Sequence, residues 1–107
     1  MKYYRNLYLE EGLEKKKEKI ISKLEKNKLQ RNTHMIVLSA NEKNHLDIIH
    51  SAFLLQPGYP GKNRLVVGIA GSYDGALELV EKIAGDVYKE TGDVDIRNYI
   101  MSKEQGD

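Results

Sequence analysis

The chain has 107 residues, enough for one modest hydrophobic core and too few for two, so a single small domain is expected over 1–107. Its 17 Lys/Arg against 16 Asp/Glu leave no net-charge argument for a polyanion partner. The absence of cysteine excludes disulfides, thiolate metal sites and thiol nucleophiles together. The charge is nonetheless uneven: +5 over residues 1–31, +1 over 32–73 and −5 over 74–107. A basic front and an acidic back can attract one another within the fold or between protomers.

The chain opens with Tyr3, Tyr4 and Tyr8 crowded around Leu7-Tyr8-Leu9, a short strand that Arg5 and Asn6 assign to a sheet edge. No apolar signal core is present and no run approaches the roughly 18 residues of a membrane span. A cytoplasmic protein without membrane contact is therefore expected. From Glu10 or Glu11 to about Asn27 good helix formers dominate, with Glu early and Lys late as the helix dipole favours. Leu13, Ile20 and Leu24 form its narrow apolar arc and Lys17 sits within it, so this helix buries little.

Met35 to Leu38 is continuously apolar and reads as a buried strand opened by Thr33-His34. Ser39 and Glu42 have capping-box spacing, and Asn41 is an alternative N-cap, which predicts a helix over 42–56 ending at Pro57-Gly58. On a wheel of about 100° per residue Leu46, Ile49, His50 and Phe53 share one face. Ile48 and Leu55 fall nearly opposite, so this helix requires a second cover. The segment 56–63, with two Pro and two Gly, is the longest turn-rich connector and the one expected to be most mobile.

Residues 64–84 organise the rest. Leu65 to Ala70 is a short apolar run rich in β-branched residues, as a central strand covered on both faces would be. The turn Gly71-Ser72-Tyr73-Asp74-Gly75 leads into an amphipathic helix to about Glu90, capped by Ser72 or Asp74 at its start and closed by Gly92. Asp93 or Asp95 then caps a last helical turn carrying Ile96, Tyr99 and Ile100, and 102–107 is expected to fray. The order β-α-β-α-β-α predicts an α/β fold with a three-stranded, mostly parallel sheet packed by helices. The alternative is an α+β two-layer sandwich whose N-terminal strand runs antiparallel to its neighbour.

In a parallel sheet ligands bind beyond the strand carboxyl ends. That rule gathers Ser39, Asn41, His45, Gly71, Ser72, Tyr73 and Asp74 at one rim, with Glu10 to Gly12 beside them, as a candidate small anionic-ligand site. The turn is neither a Walker loop, since Ala76 and Leu77 stand where Lys and Ser/Thr belong, nor a G-x-G-x-x-G fingerprint. Ser72 lacks the flanking glycines of a nucleophile elbow, which leaves only a pairing with His45 to activate it. His45 and His50 lie about 140° apart on a helix and cannot share a metal. No metal and no cofactor are expected.

The leading expectation is a non-enzymatic homodimeric interaction or accessory module, its interface formed by Tyr3, Tyr4, Tyr8, Ile48, Ala52 and Leu55. An enzyme or ligand-binding domain using the rim ranks second. A weak nucleic-acid binder that stacks the N-terminal tyrosines and tracks phosphates with Lys15 to Lys23 ranks third, because Glu residues interleave with those lysines.

Overall fold

A computed structural model describes residues 1–41, 44–59 and 64–105. Four strands, β1 (Lys2–Leu9), β2 (His34–Leu38), β3 (Leu46–His50) and β4 (Leu65–Ala70), form one mixed sheet in the order β1-β4-β2-β3. Among the described residues three α-helices complete it: α1 (Lys17–Glu25), α2 (Tyr73–Thr91) and α3 (Ile96–Glu104). The chain is thus a small α/β domain, with four strands rather than three.

The central strand is the one its composition marks. β4 lies between β1 and β2, with Val66, Val67, Ile69 and Ala70 fully buried. β1 is an edge, parallel to β4. Its register slips between Tyr3 and Tyr8, which lets the exposed Arg5 and Asn6 bulge out of the ladder. β2 runs antiparallel to both β4 and β3. A mostly parallel sheet is therefore wrong, and so is the alternative with an antiparallel N-terminal strand, because the strand that reverses is β2.

The largest correction falls on 42–56. Where a helix was expected, 46–50 pair with β2 from Leu38↔Leu46 to His34↔His50, and Ser51–Leu55 form a short 3₁₀ turn. Residues 42 and 43, where that helix was to begin, and 60–63 of the turn-rich connector lie outside the described residues. Strand pairing wins because Ile36 and Val37 are fully buried and need a neighbour on their free edge. The β3 hydrogen bonds supply it, and the ladder continues as Ser39 N–H donates to the His45 carbonyl at 3.1 Å. The expected frayed tail is also partly ordered: Ser102 to Glu104 finish α3, and the Glu104 carboxylate accepts the Arg5 backbone N–H at 2.6 Å.

Both faces of the sheet are covered. On one, Ile36, Leu38, Val67 and Tyr4 meet Ala76, Leu79, Ile83 and Val87 of α2 and Ile96 and Ile100 of α3. On the other, Met35, Val37, Ile49, Val66 and Ile69 meet Leu24 of α1 and Leu54 of the 3₁₀ turn. Gly68 sets the spacing of the first layer: a Cβ there would stand 3.1 Å from Leu79 Cδ2 and 3.3 Å from Ile36 Cδ1. Helix α1 begins later than expected, after a 3₁₀ turn at Glu14–Lys16, because Gly12 takes φ +93° and turns the chain between strand and helix.

Candidate functional site

The reversal of β2 divides the expected rim. His34 pairs with Ala70 and Val37 with Val66, so β2 starts where β4 ends. Gly71, Ser72, Tyr73 and Asp74 stand at one end of the sheet together with Glu10. Ser39, Asn41 and His45 stand at the other, which removes any Ser72/His45 nucleophile pair.

At the first end, the chain's own side chains serve the turn and the start of helix α2. Ser72 caps the helix, its Oγ accepting the Gly75 N–H at 2.9 Å. Glu10, carried past the end of β1 by a ladder bond to the Ile69 carbonyl at 3.0 Å, turns its carboxylate onto the Gly71 N–H at 2.7 Å. Gly75 is required by this arrangement, because a methyl group there would land on the Glu10 carboxyl. The positive end of the α2 dipole thus holds an internal anion where sequence reasoning had placed an external one. An open cleft of about 680 Å³ beside it is lined by Leu9, Glu10, Glu11, Glu14, Gly75, Glu78, Leu79 and Lys82. Four carboxylates against one ammonium oppose the approach of any phosphate or carboxylate ligand. Asp74, exposed in the first turn, adds to that field.

At the opposite end the polar residues staple the hairpin to α3. The His45 Nδ1 accepts the Arg97 backbone N–H at 3.2 Å, and the Arg97 guanidinium donates to the Ser39 carbonyl. Asp95 caps α3 by accepting the Asn98 N–H at 3.1 Å and lies 3.9 Å from His45. Ser39 Oγ accepts the Asn41 N–H at 3.1 Å, a local turn rather than a helix cap. Arg64 pairs with Asp47 at 2.9 Å nearby. Since the His45 Nδ1 is taken up by a backbone amide, this cluster has the geometry of a joint and not of a base aimed at a nucleophile. Among the described residues no group of three or more His, Asp or Glu is placed to hold a metal ion. No described helix is long and apolar enough to cross a membrane.

A third group was missed as a group by sequence reasoning. His34, His50 and Tyr73 meet at the Gly71 end of the sheet, the His34 ring edge-on to His50 at 4.9 Å and to Tyr73 at 5.9 Å. His50 has both nitrogens engaged: Nε2 donates to the Arg31 carbonyl and Nδ1 accepts the Ala52 N–H at 2.9 Å, capping the 3₁₀ turn. That turn carries Phe53, which stacks on Tyr59 at 5.8 Å and 19°. The signal was legible in retrospect, since His34 and His50 stand at mirror positions of a hairpin, outside Met35 to Leu38 and the mostly apolar Leu46 to Ile49.

Neither a family model, nor a curated protein, nor a solved structure matches this chain.

The N-terminal tyrosines serve the fold. Tyr4 is buried, and burial raises its pKa. Tyr3 donates to Glu25 at 2.8 Å and Tyr8 to Asp86 at 2.8 Å. Burial first, then these carboxylates, push both phenols well above the usual tyrosine range. Of the other expected interface residues, Ile48 is partly buried on the outer strand, Ala52 is half-buried, and Leu55 is 38% exposed. Beside Ile48 runs an apolar stripe along α2, Tyr73-Leu77-Val80-Ala84-Tyr88, in which Leu77 is 42% and Tyr88 60% exposed. The stripe faces the β3 side of the helix, because Tyr73 touches His34 of β2 while Asp86, on the opposite flank, reaches Tyr8 of β1.

Proposed function

We propose that this domain is an interaction module that pairs with a second copy of itself along β3, and that no catalytic step is carried by either end of the sheet. The observation that carries this reading is the state of the outer strand. Among the described residues β3 has a neighbour on one side only, and its Leu46 and Ile48 are partly covered by the same α2 whose flank exposes Leu77 and Tyr88 beside them. This outer strand has apolar residues and no Lys or Pro, and its one charge, Asp47, is paired with Arg64, so it carries few of the devices that keep edges apart. Antiparallel pairing of two β3 strands about a two-fold axis would extend the sheet and bring two α2 stripes together, covering Ile48, Leu77 and Tyr88 in one isologous surface. Ala52 and Leu55, in the turn that follows β3, would stand at its rim.

Sedimentation velocity across a hundredfold range of concentration tests it. The wild type is expected to sediment as a dimer, and Leu77→Glu, an exposed position whose change leaves the core intact, as a folded monomer. A wild type that stays monomeric throughout, or a Leu77→Glu and Ile48→Lys pair that both remain dimeric, would overturn the reading.

A further inference from the structure

Cations and aromatic rings converge at the Gly71 end of the sheet, on a surface that shares only Tyr73 with the α2 stripe. Three segments meet there. Ser51 N–H donates to the Thr33 carbonyl and Ser51 Oγ to the Gln30 carbonyl, both at 2.9 Å; His50 is bonded to Arg31; and His34 pairs with Ala70. Residues 26–34, 50–59 and 70–73 contain Lys26, Lys28 and Arg31 and no Asp or Glu; the carboxylates that adjoin them in the chain are Glu25 and Asp74. All three cations are exposed, and among the described residues none has an ion-pair partner. The acids that interleave with the lysines of α1 are partly withdrawn. Glu25 is held by Tyr3 and lies 3.7 Å from the N-terminal ammonium, and Glu14 accepts the Gly12 N–H at 3.1 Å.

The rings are presented rather than packed away. Phe53 is 46% and Tyr73 54% exposed, and Tyr59 backs Phe53 in a stack too close to admit a third ring between them. The outer face of Phe53 is therefore a platform held flat by its neighbour, on a turn fixed by the His50 cap. Flat exposed rings beside cations without ion-pair partners, where Glu25 is engaged by Tyr3 and Glu10 by the Gly71 N–H, match a chain of phosphates bearing unstacked bases. A duplex hides its base faces and offers no such match. We infer that this end of the domain binds single-stranded nucleic acid, with bases stacking on Phe53 and Tyr73 and phosphates meeting Lys26, Lys28 and Arg31. Phe53, Lys26, Lys28 and Arg31 lie outside the β3 edge and the α2 stripe, and only Tyr73 is shared with the stripe, so the inference does not depend on dimerisation.

Fluorescence anisotropy of a labelled oligothymidylate of about 12 nucleotides, within the footprint of one small binding domain, tests it. Binding is expected at low salt, and log K should fall with log salt at a slope near −2, about 0.7 for each of three phosphate contacts. Phe53→Ala should weaken binding by about 5- to 150-fold, the usual range for loss of one stacked base, without changing that slope. Phe53→Leu keeps apolar volume but loses the ring, and should weaken binding in the same direction if stacking is responsible. Lys28→Gln with Arg31→Gln should reduce the slope by about 1.4. No binding at the lowest salt overturns the inference. So does equal affinity for the corresponding duplex, or an affinity that Phe53→Leu and Phe53→Ala leave unchanged, since either result reduces the patch to a nonspecific attraction for polyanions.

Discussion

Glu10 and Gly75 are coupled by contact, and a double-mutant cycle should show it. Glu10→Ala removes a charge-assisted hydrogen bond to Gly71 and a favourable charge at the start of α2, an expected loss of about 1–3 kcal/mol in urea unfolding. Gly75→Ala in the wild type forces the Glu10 carboxyl off its partner, yet it also gains the roughly 1 kcal/mol by which Ala exceeds Gly in a helix. In the Glu10→Ala background only the gain remains, so the same Gly75 substitution should switch from destabilising or neutral to stabilising. The phenols give a second residue-scale test. Tyr3 and Tyr8 have their pKa raised by burial and then by Glu25 and Asp86, and Tyr99 is pushed up to about 12, chiefly by its hydrogen bond to Glu90. A tyrosine pKa above its unfolded value of about 10 means that the folded chain holds those protons longer. Their contribution is complete below pH 10 and is lost as pH rises, for Tyr99 by about pH 12 and for the others beyond it. Stability should therefore decline above about pH 10, and Tyr8→Phe should make the decline shallower. A stability flat from pH 9 to about pH 11 would contradict the assignment.

At the scale of elements, three signals were sufficient in the sequence and one was overridden. The buried run 65–70, the Ser72 cap with its Gly92 stop, and the Asp95 cap of α3 all form as local chemistry dictates, Gly92 taking φ +73°. Ser72→Ala should accordingly cost about 1 kcal/mol, whereas Asp74→Ala, exposed and not the cap, should cost only a few tenths. Residues 46–50 went the other way. Ser39, Asn41 and Glu42 look like a helix start, and only the failure of Ile48 and Leu55 to share the face of Leu46 and Ile49 pointed elsewhere. On a helix that mismatch requires two covers. It is the mark of a strand, with Leu46 and Ile48 facing α2 and Ile49 facing α1. No local signal reveals the pairing partner, and the candidate rim fell with it, since its unity required β2 to run parallel to β4. Ile49, 7% exposed against the Met35 and Val37 side of the sheet, tests the strand directly. Ile49→Ala should cost about 2–4 kcal/mol, the usual loss for a buried large aliphatic residue.

For the whole molecule, the sheet separates the charges that the sequence had already segregated. Residues 14–31, which contain α1 on one face, carry eight Lys/Arg and three Glu, whereas residues 73–105 on the other carry four Lys/Arg and eight Asp/Glu. The basic front and acidic back therefore do not neutralise each other inside the fold. Each face instead carries an excess of one sign, and the sheet and its side chains lie between the two. Sheet and helix layers stand about 10 Å apart, so charges on opposite faces are roughly 20 Å from one another, beyond the screening length of about 10 Å at 0.1 M salt. Neighbours on the same face are closer than that length, and their repulsion is the part of the field that salt moves most. Raising sodium chloride from about 20 mM to about 150 mM should thus stabilise the monomer slightly, by a few tenths of a kcal/mol. Lys19→Glu on the exposed side of α1 should stabilise at low salt and flatten the salt response. Had the two charged segments paired across one interface, added salt would weaken the fold. A midpoint of urea unfolding that falls with salt over this range, measured on the Leu77→Glu variant so that association does not intervene, would refute the separation of faces.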